Sequence, residues 1–420
     1  MKKINRRAFI KSTAAATALS ALSYSRVMGA NDRLGAAVIG VRGKGRGHIR
    51  ELLDIDGVDV IALCDVDANV LEEQTSKLDQ PVKPYSDFRL LLQNPDIDLI
   101  SIATPDHWHV PIAAHALLAG KHVYVEKPIS HTLYEGKYLA DLAKKTKCVV
   151  QHGTQSHSIE TFKHAIEYLQ SGQLGQIRTA KAINHQLRDP IGIKPDGPVP
   201  RGVDYDMWLG PAPVRPFNPN RFHYNWHWFW DYGSGDTGND GIHQIDVARW
   251  GLGKGFPNQI ICSGGQLFYK DDHETPDTQL AVFRVDQAQI IYEMRLWTDY
   301  KLEGHDNGNI FYGDNGSLSM GRKGWSVTFK DGSTGPAEPK SKDQHFRNFI
   351  DAIRANDPAQ VNCDPEEAHI SSSMCHMANI AMKLGTVLTF DANTHQFVNN
   401  DKANDMMTKS YRKGYELPAV

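Results

Sequence analysis

A lysine closes the run Val123-Tyr124-Val125-Glu126-Lys127-Pro128, and Thr104-Pro105-Asp106-His107-Trp108-His109 stands ahead of it. A lysine at the end of a buried strand, beside a nucleotide pocket, can carry the proton that moves when a hydride leaves or joins a carbon. Such a pocket needs a glycine turn and an acid upstream. The segment Gly40-Val41-Arg42-Gly43-Lys44-Gly45-Arg46-Gly47 supplies the turn, although Arg42 stands where a strict G-x-G-x-x-G has its middle glycine. Gly40, Gly43 and Gly45 still permit a tight strand-to-helix turn whose exposed amides attract a pyrophosphate, and Arg42 adds a cation beside it. An ordinary surface loop is the competing reading of this segment. Asp65 ends the next strand about 25 residues after Gly40, where a carboxylate accepts from ribose hydroxyls and repels a 2′-phosphate. NAD is therefore expected in preference to NADP, with Asp67 as the alternative acid.

The elements that must position these residues read as short apolar runs alternating with helical ones. Strands are expected at 36–41, 58–65, 82–85, 98–104, 122–125 and 149–151, with helices at 45–55, 68–78, 110–119 and 133–145 between them. That rhythm defines an α/β fold with a Rossmann-type, doubly wound parallel sheet. After about residue 154 the pattern changes. A helix at 159–169 leads to an extended run at 176–184, then a Pro/Gly-rich and aromatic stretch at 189–235. Runs such as 279–285 and 289–294 alternate like antiparallel strands, and helices at 345–354 and 366–384 follow. The expected organisation is a Rossmann domain over 31–154 and an α+β domain over 155–420 with an open, mostly antiparallel sheet, its last helices free to pack back on the first domain.

A chain of 420 residues with a net charge of -3 presents no broad basic field, which argues against nucleic acid or an anionic membrane surface as partner. The five cysteines are odd in number and scattered, without a C-x-x-C pair, so neither a disulfide framework nor a zinc site is expected. Residues 1–30 read as a targeting segment. Asn5-Arg6-Arg7-Ala8-Phe9-Ile10-Lys11 precedes an alanine-rich run too short to span a bilayer, the pattern of a twin-arginine export signal. The chain is accordingly expected to meet the twin-arginine export machinery, to reach the periplasm already folded, and to keep no stable membrane anchor.

Three pieces together resemble the glucose-fructose oxidoreductase, inositol dehydrogenase and MocA family: Ala103 to His109, Gly120 to Pro128, and Gly241-Ile242-His243-Gln244-Ile245-Asp246. The resemblance implies a nicotinamide over the strand ends, flanked by Thr104, Pro105, His109, Glu126 and Lys127, with Gln155 close by. It also implies Lys127 near the substrate hydroxyl and a histidine of the second domain, His243, opposite it. Removing a hydride and a hydroxyl proton together needs a base within about 3 Å of that oxygen, which suits His243 with Lys127 as relay or stabiliser. Where this family often has an aspartate four residues before the histidine, the chain has Asn239, which can orient a hydroxyl but cannot take its proton. On a regular helix Asn239, His243 and Asp246 would share one face, and Asp240 would point about a quarter-turn away.

The stretch from Arg221 to Tyr232 is dense in aromatic rings, among them Trp226 and Trp228. These suit either a wall against the apolar faces of a sugar or a core plug and subunit contact. His107, His109, His223 and His227 lack the carboxylate or cysteine spacing of a metal site, so no metal is expected. The first expectation is an NAD-dependent oxidoreductase acting on a secondary hydroxyl or ketone of a sugar, glycoside or cyclic polyol, with its cofactor retained and a homo-oligomer compatible with the open sheet. The second is an NAD-dependent glycosidase working by oxidation and elimination. The third is a non-catalytic sugar-binding protein on the same scaffold.

Overall fold

A computed structural model of the chain describes residues 33–419. The segment read as a twin-arginine signal lies outside the described residues. The first sheet contains β1 (Leu34–Ile39), β2 (Val58–Cys64), β3 (Lys83–Tyr85), β4 (Leu99–Ile102), β5 (His122–Val125) and β6 (Val150–His152). Its order is β3-β2-β1-β4-β5-β6 and every pairing is parallel. The crossover helices α1 (Lys44–Leu53), α2 (Ala68–Thr75), α3 (Asp106–Leu118) and α4 (Leu133–Thr146) cover both faces, so a strand such as β4 is buried at every residue. Strand order reverses between β1 and β4, and the reversal opens a crevice at their carboxyl ends. Helix α3 starts four residues before the expected position. Pro111 resembles a helix-opening proline, but the chain turns into the helix directly after Pro105, whose carbonyl oxygen accepts from Trp108 N at 3.0 Å.

After α5 (Glu160–Gln170) comes β7 (Ile177–Asn184), at the centre of a ten-stranded sheet. Its order is β14-β13-β12-β11-β7-β10-β9-β8-β15-β16, built from β8 (Gln259–Gly265), β9 (Thr278–Val285), β10 (Ala288–Arg295), β11 (Asn307–Gly313), β12 (Gly316–Gly321), β13 (Gly324–Phe329), β14 (Thr334–Pro339), β15 (Leu388–Asp391) and β16 (Gln396–Phe397). All pairings are antiparallel except β7 with β10. Phe283, Tyr292 and Phe311 line its buried face under α6 (Ile242–Leu252), while Ile261, Leu280 and Tyr312 are exposed on the other. Two late helices tie the domains together. Phe346 of α7 (His345–Ala355) stacks on Tyr124 of β5 with ring centroids 4.0 Å apart, and α8 (Pro365–Leu384) packs between α4 and β8. No helix among the described residues is long and apolar enough to cross a membrane.

The aromatic stretch of the second domain returns to the first as a strap. Val203 bridges Asp67, Ala68 N donates to Gly202 O at 2.8 Å, and Asp204 N donates to Val66 O at 2.9 Å. Trp108 Nε1 donates to Met207 O at 3.1 Å, and His107 Nε2 donates to Trp208 O at 3.0 Å. The strap thus crosses the mouth of the crevice and is bolted to it by backbone groups.

Candidate active site

The turn after β1 is as tight as its glycines allow. Gly40 has φ +80°, and a Cβ on it would lie 2.7 Å from Ala103 O; a Cβ on Gly45 would lie 1.8 Å from Gly40 O. This packing brings the N-terminus of α1 against the crevice, where Gly43 and Lys44 line a cavity of about 300 Å³. Gly40, Arg42, Gly43 and Asp65 line one side of it, Thr104 and Pro105 another, and Tyr224 and Trp226 of the strap roof it. Asp65 accepts from Val41 N at 2.9 Å and Asp67 N at 3.0 Å, and burial pushes its carboxyl up. Thr104 Oγ1 is buried there without a partner among the described residues. A glycine-lined cradle, cationic side chains and an orphaned hydroxyl fit a dinucleotide.

His109 lines the cavity as well, but its ring is spent as a brace, with Nδ1 2.7 Å from Pro128 O and Nε2 2.9 Å from Thr104 O. Glu126 is buried among donors. His48 Nε2 donates to it at 3.0 Å, Lys127 N at 3.1 Å and Gln155 Nε2 at 3.4 Å, and Lys44 Nζ lies 3.6 Å away. Burial alone would raise its carboxyl, yet Lys44, His48 and Lys127 outweigh that and hold it well below the usual range.

Lys127 reaches across to the second domain, donating to Asn239 O at 2.5 Å and Asn239 Oδ1 at 2.9 Å. A second cavity of about 340 Å³ adjoins, sharing Lys44 with the first. His243, Gln155 and Asp240 line it, together with Asn307 and Asn309. Burial, then the charge of Lys127, pulls the His243 imidazole down to about 4, so it is a neutral base at neutral pH.

Two expectations need correction. Residues Thr237–Gly241 form a π-helical turn ahead of α6, so the regular-helix register fails. Asn239 faces the first cavity, His243 the second, and Asp246 is buried against His157 and Ser371 at 2.7 Å each. Asp240, which a regular helix would turn away, lines the same cavity as His243. Trp228 lines neither of these two cavities. It is 2% exposed and packs against His273, whereas its neighbour Trp226 does reach the first cavity. Lys44, Arg188 and Asp236 join the site beyond the residues expected from sequence. Lys44 had a signal, being a cation inside the glycine turn; Arg188 and Asp236 meet only through the fold. Among the described residues no group of three or more His, Cys, Asp or Glu is placed to hold a metal ion.

A crevice-bound dinucleotide cradle facing a cross-domain lysine and a half-buried neutral histidine defines a two-domain, nucleotide-dependent class of protein. Residues 34–154 match the family model described as "Oxidoreductase family, NAD-binding Rossmann fold", and residues 192–417 match "Oxidoreductase family, C-terminal alpha/beta domain". The chain belongs to this Gfo/Idh/MocA oxidoreductase family, and NAD is the cofactor its first domain takes. It is similar to a protein of Shewanella pealeana named "Glycosyl hydrolase family 109 protein", 30% identical over 168 residues that make up 37% of this chain and 36% of the relative. The chain spans 36% to 48% of the length of the curated relatives it matches. Among solved structures, the WlbA dehydrogenase from Bordetella pertussis in complex with NADH and UDP-GlcNAcA is 16% identical with a TM-score of 0.66, covering 86% of this chain and 99% of that one. GenD2 from gentamicin A biosynthesis, in complex with NAD, is 19% identical with a TM-score of 0.64, covering 87% and 99%. These two show the shared fold.

Proposed function

We propose that this chain is an exported NAD-dependent oxidoreductase that moves a hydride between a retained nicotinamide and a secondary hydroxyl or ketone of a sugar, glycoside or cyclic polyol. The observation that carries this reading is the Lys127 ammonium held by Asn239 between the dinucleotide cradle and the cavity of His243. Bound NAD supplies the hydride acceptor. His243 takes the hydroxyl proton, and Lys127 stabilises the developing alkoxide charge. Amides at Gln155, Asn307 and Asn309 suit hydroxyls, and Gln244 Oε1, buried there without a partner among the described residues, offers one more acceptor. The strap supports retention, because nucleotide release must disturb several of its backbone bonds. Export rests on the twin-arginine pattern and places the enzyme in the periplasm, where a cofactor loaded before transport is an advantage. The exposed Ile261, Leu280 and Tyr312 give a face on which a homo-oligomer can pack.

The test is to purify the protein, denature it and look for released nucleotide, and then to follow nicotinamide absorbance while offering sugars, glycosides and inositols. Bound NAD and a substrate-dependent absorbance change are expected; their absence across the panel defeats the reading. A second reading, glycoside cleavage by transient oxidation, is favoured by the names of the curated relatives. Release of an aglycone without net NADH would establish it.

A further inference from the structure

Resting on the hydride-transfer reading, we propose that Asp236 is a positioning residue that aims the Lys127 ammonium through the side-chain amide of Asn239. Asp236 is fully buried at the entrance to the π-helical turn. Its Oδ1 accepts from Asn239 Nδ2 at 3.0 Å and from Arg188 Nη2 at 3.0 Å, and its Oδ2 accepts from Asn184 Nδ2 at 2.9 Å. Three donors converge on this carboxylate, so its acceptor capacity is what holds the cluster together.

The consequence falls on Asn239. With Nδ2 committed to Asp236, Oδ1 must face Lys127, where it accepts at 2.9 Å. Turning the amide over would set an NH₂ group against an ammonium and an oxygen against a carboxylate, so both contacts would become repulsive. Asn239 therefore presents two oxygens to Lys127, its backbone carbonyl and its side chain. Two ammonium hydrogens are engaged, and tetrahedral geometry then fixes the direction of the third. An aspartate at position 239 would also attract the lysine, but it would need no help from Asp236 to do so.

The anchoring groups come from the sheet and from packing. Asn184 ends β7, Arg188 follows it, and Arg188 also pairs with Asp240, so one cation serves both carboxylates. Gly238 lets the turn press close: a Cβ there would lie 1.9 Å from Ser234 Oγ and 3.6 Å from Pro128 Cγ. The group that aims Lys127 is thus held against the loop that carries it.

The test combines two readouts on the full-length protein. Asp236→Asn keeps the shape but replaces one acceptor with a donor. A fall in kcat of about 10-fold or more, with KM and NAD affinity within about threefold of wild type, is expected of a group that orients the reacting residue. The second readout does not depend on turnover: competitive labelling of amines with acetic anhydride, read at the Lys127 peptide by mass spectrometry. Labelling of Lys127 is expected to change by about threefold or more in both Asp236→Asn and Asn239→Ala, and the double variant to go no further than Asn239→Ala alone. Unchanged labelling, or effects that simply add, would overturn the proposal. Should Asp236→Asn not fold, Asn239→Ala with an unaltered Lys127 labelling rate overturns it equally. Labelling that behaves as expected in a protein that turns over none of the offered compounds supports the aiming and removes only the hydride-transfer reading.

Discussion

Gly45→Ala should weaken NAD binding while sparing the fold. The new Cβ would stand 1.8 Å from Gly40 O and 2.9 Å from Gly40 C, both backbone atoms that no side-chain rotation can relieve. The first turn of α1 must therefore lift from the β1 turn by more than an ångström before the contact becomes tolerable. Amides displaced that far lose their hold on a pyrophosphate. At about 1.5–3 kcal/mol for each hydrogen bond to a charged group, losing one or two costs roughly 3 kcal/mol, or on the order of 100-fold in affinity. His48 on the same helix, bonded to Ser101 Oγ at 2.8 Å and Glu126 at 3.0 Å, anchors the rest of α1, so the melting temperature should move little. The assay is an equilibrium NAD titration of nucleotide-stripped protein, with Gly47→Ala as control because a Cβ there meets nothing within 4 Å. If Gly45→Ala binds NAD within about threefold of wild type, the cradle has been assigned to the wrong turn.

Other consequences can be checked alongside. His243→Asn should lower kcat by about 10²-fold or more while leaving NAD binding unchanged; equal loss of both would place the ring in the cofactor site instead. Trp228→Ala should cost about 3–5 kcal/mol of stability, whereas Trp226→Ala should mainly alter ligand affinity; denaturant unfolding and titration separate the two. Burial holds the imidazoles of His107, His152 and His369 at about 3 and that of His376 at about 4. These rings stay neutral in the fold but take up protons near pH 6.5 when unfolded. Their stabilisation is therefore complete above about pH 6.5 and declines as pH falls, by about 2 kcal/mol each between about pH 7 and pH 5. Asp106, pushed up to about 7 by burial, works in the opposite sense and offsets about one of them. The melting temperature should fall by about 7 °C over that interval, and a flat profile would contradict the burial of these rings.

What could be read from sequence was local. The strand, glycine turn and helix at the start of the first domain announce themselves by apolar runs and by residues that few other conformations want, and the same holds for Lys127 at a strand end. Asp65 followed from its distance along the chain. The π-helical turn could not be read, because it depends on Gly238 facing Pro128 and Gly241 packing on Tyr292, contacts made with distant segments. Arg188 meets Asp236 and Asp240 across 48 and 52 residues of chain, beyond any periodicity. Trp226 and Trp228 look alike in sequence; only the strap's path decides which one reaches the cavity.

That path also bears on how the proposed chemistry would close its cycle. The strap crosses the dinucleotide cradle and not the second cavity, whose walls come from α6, the sheet strands and the turn after β6. Under the proposed retention, a small substrate can leave the second cavity while the nucleotide stays in the first. The hydride then has two destinations: the same molecule after a leaving group has gone, or a different molecule that enters later. Both use one cradle and one set of proton-handling residues, so no substitution at Lys127 or His243 can tell them apart. A substrate carrying deuterium at the oxidised carbon can, since the label returns to its parent in the first case and appears in a second compound in the other.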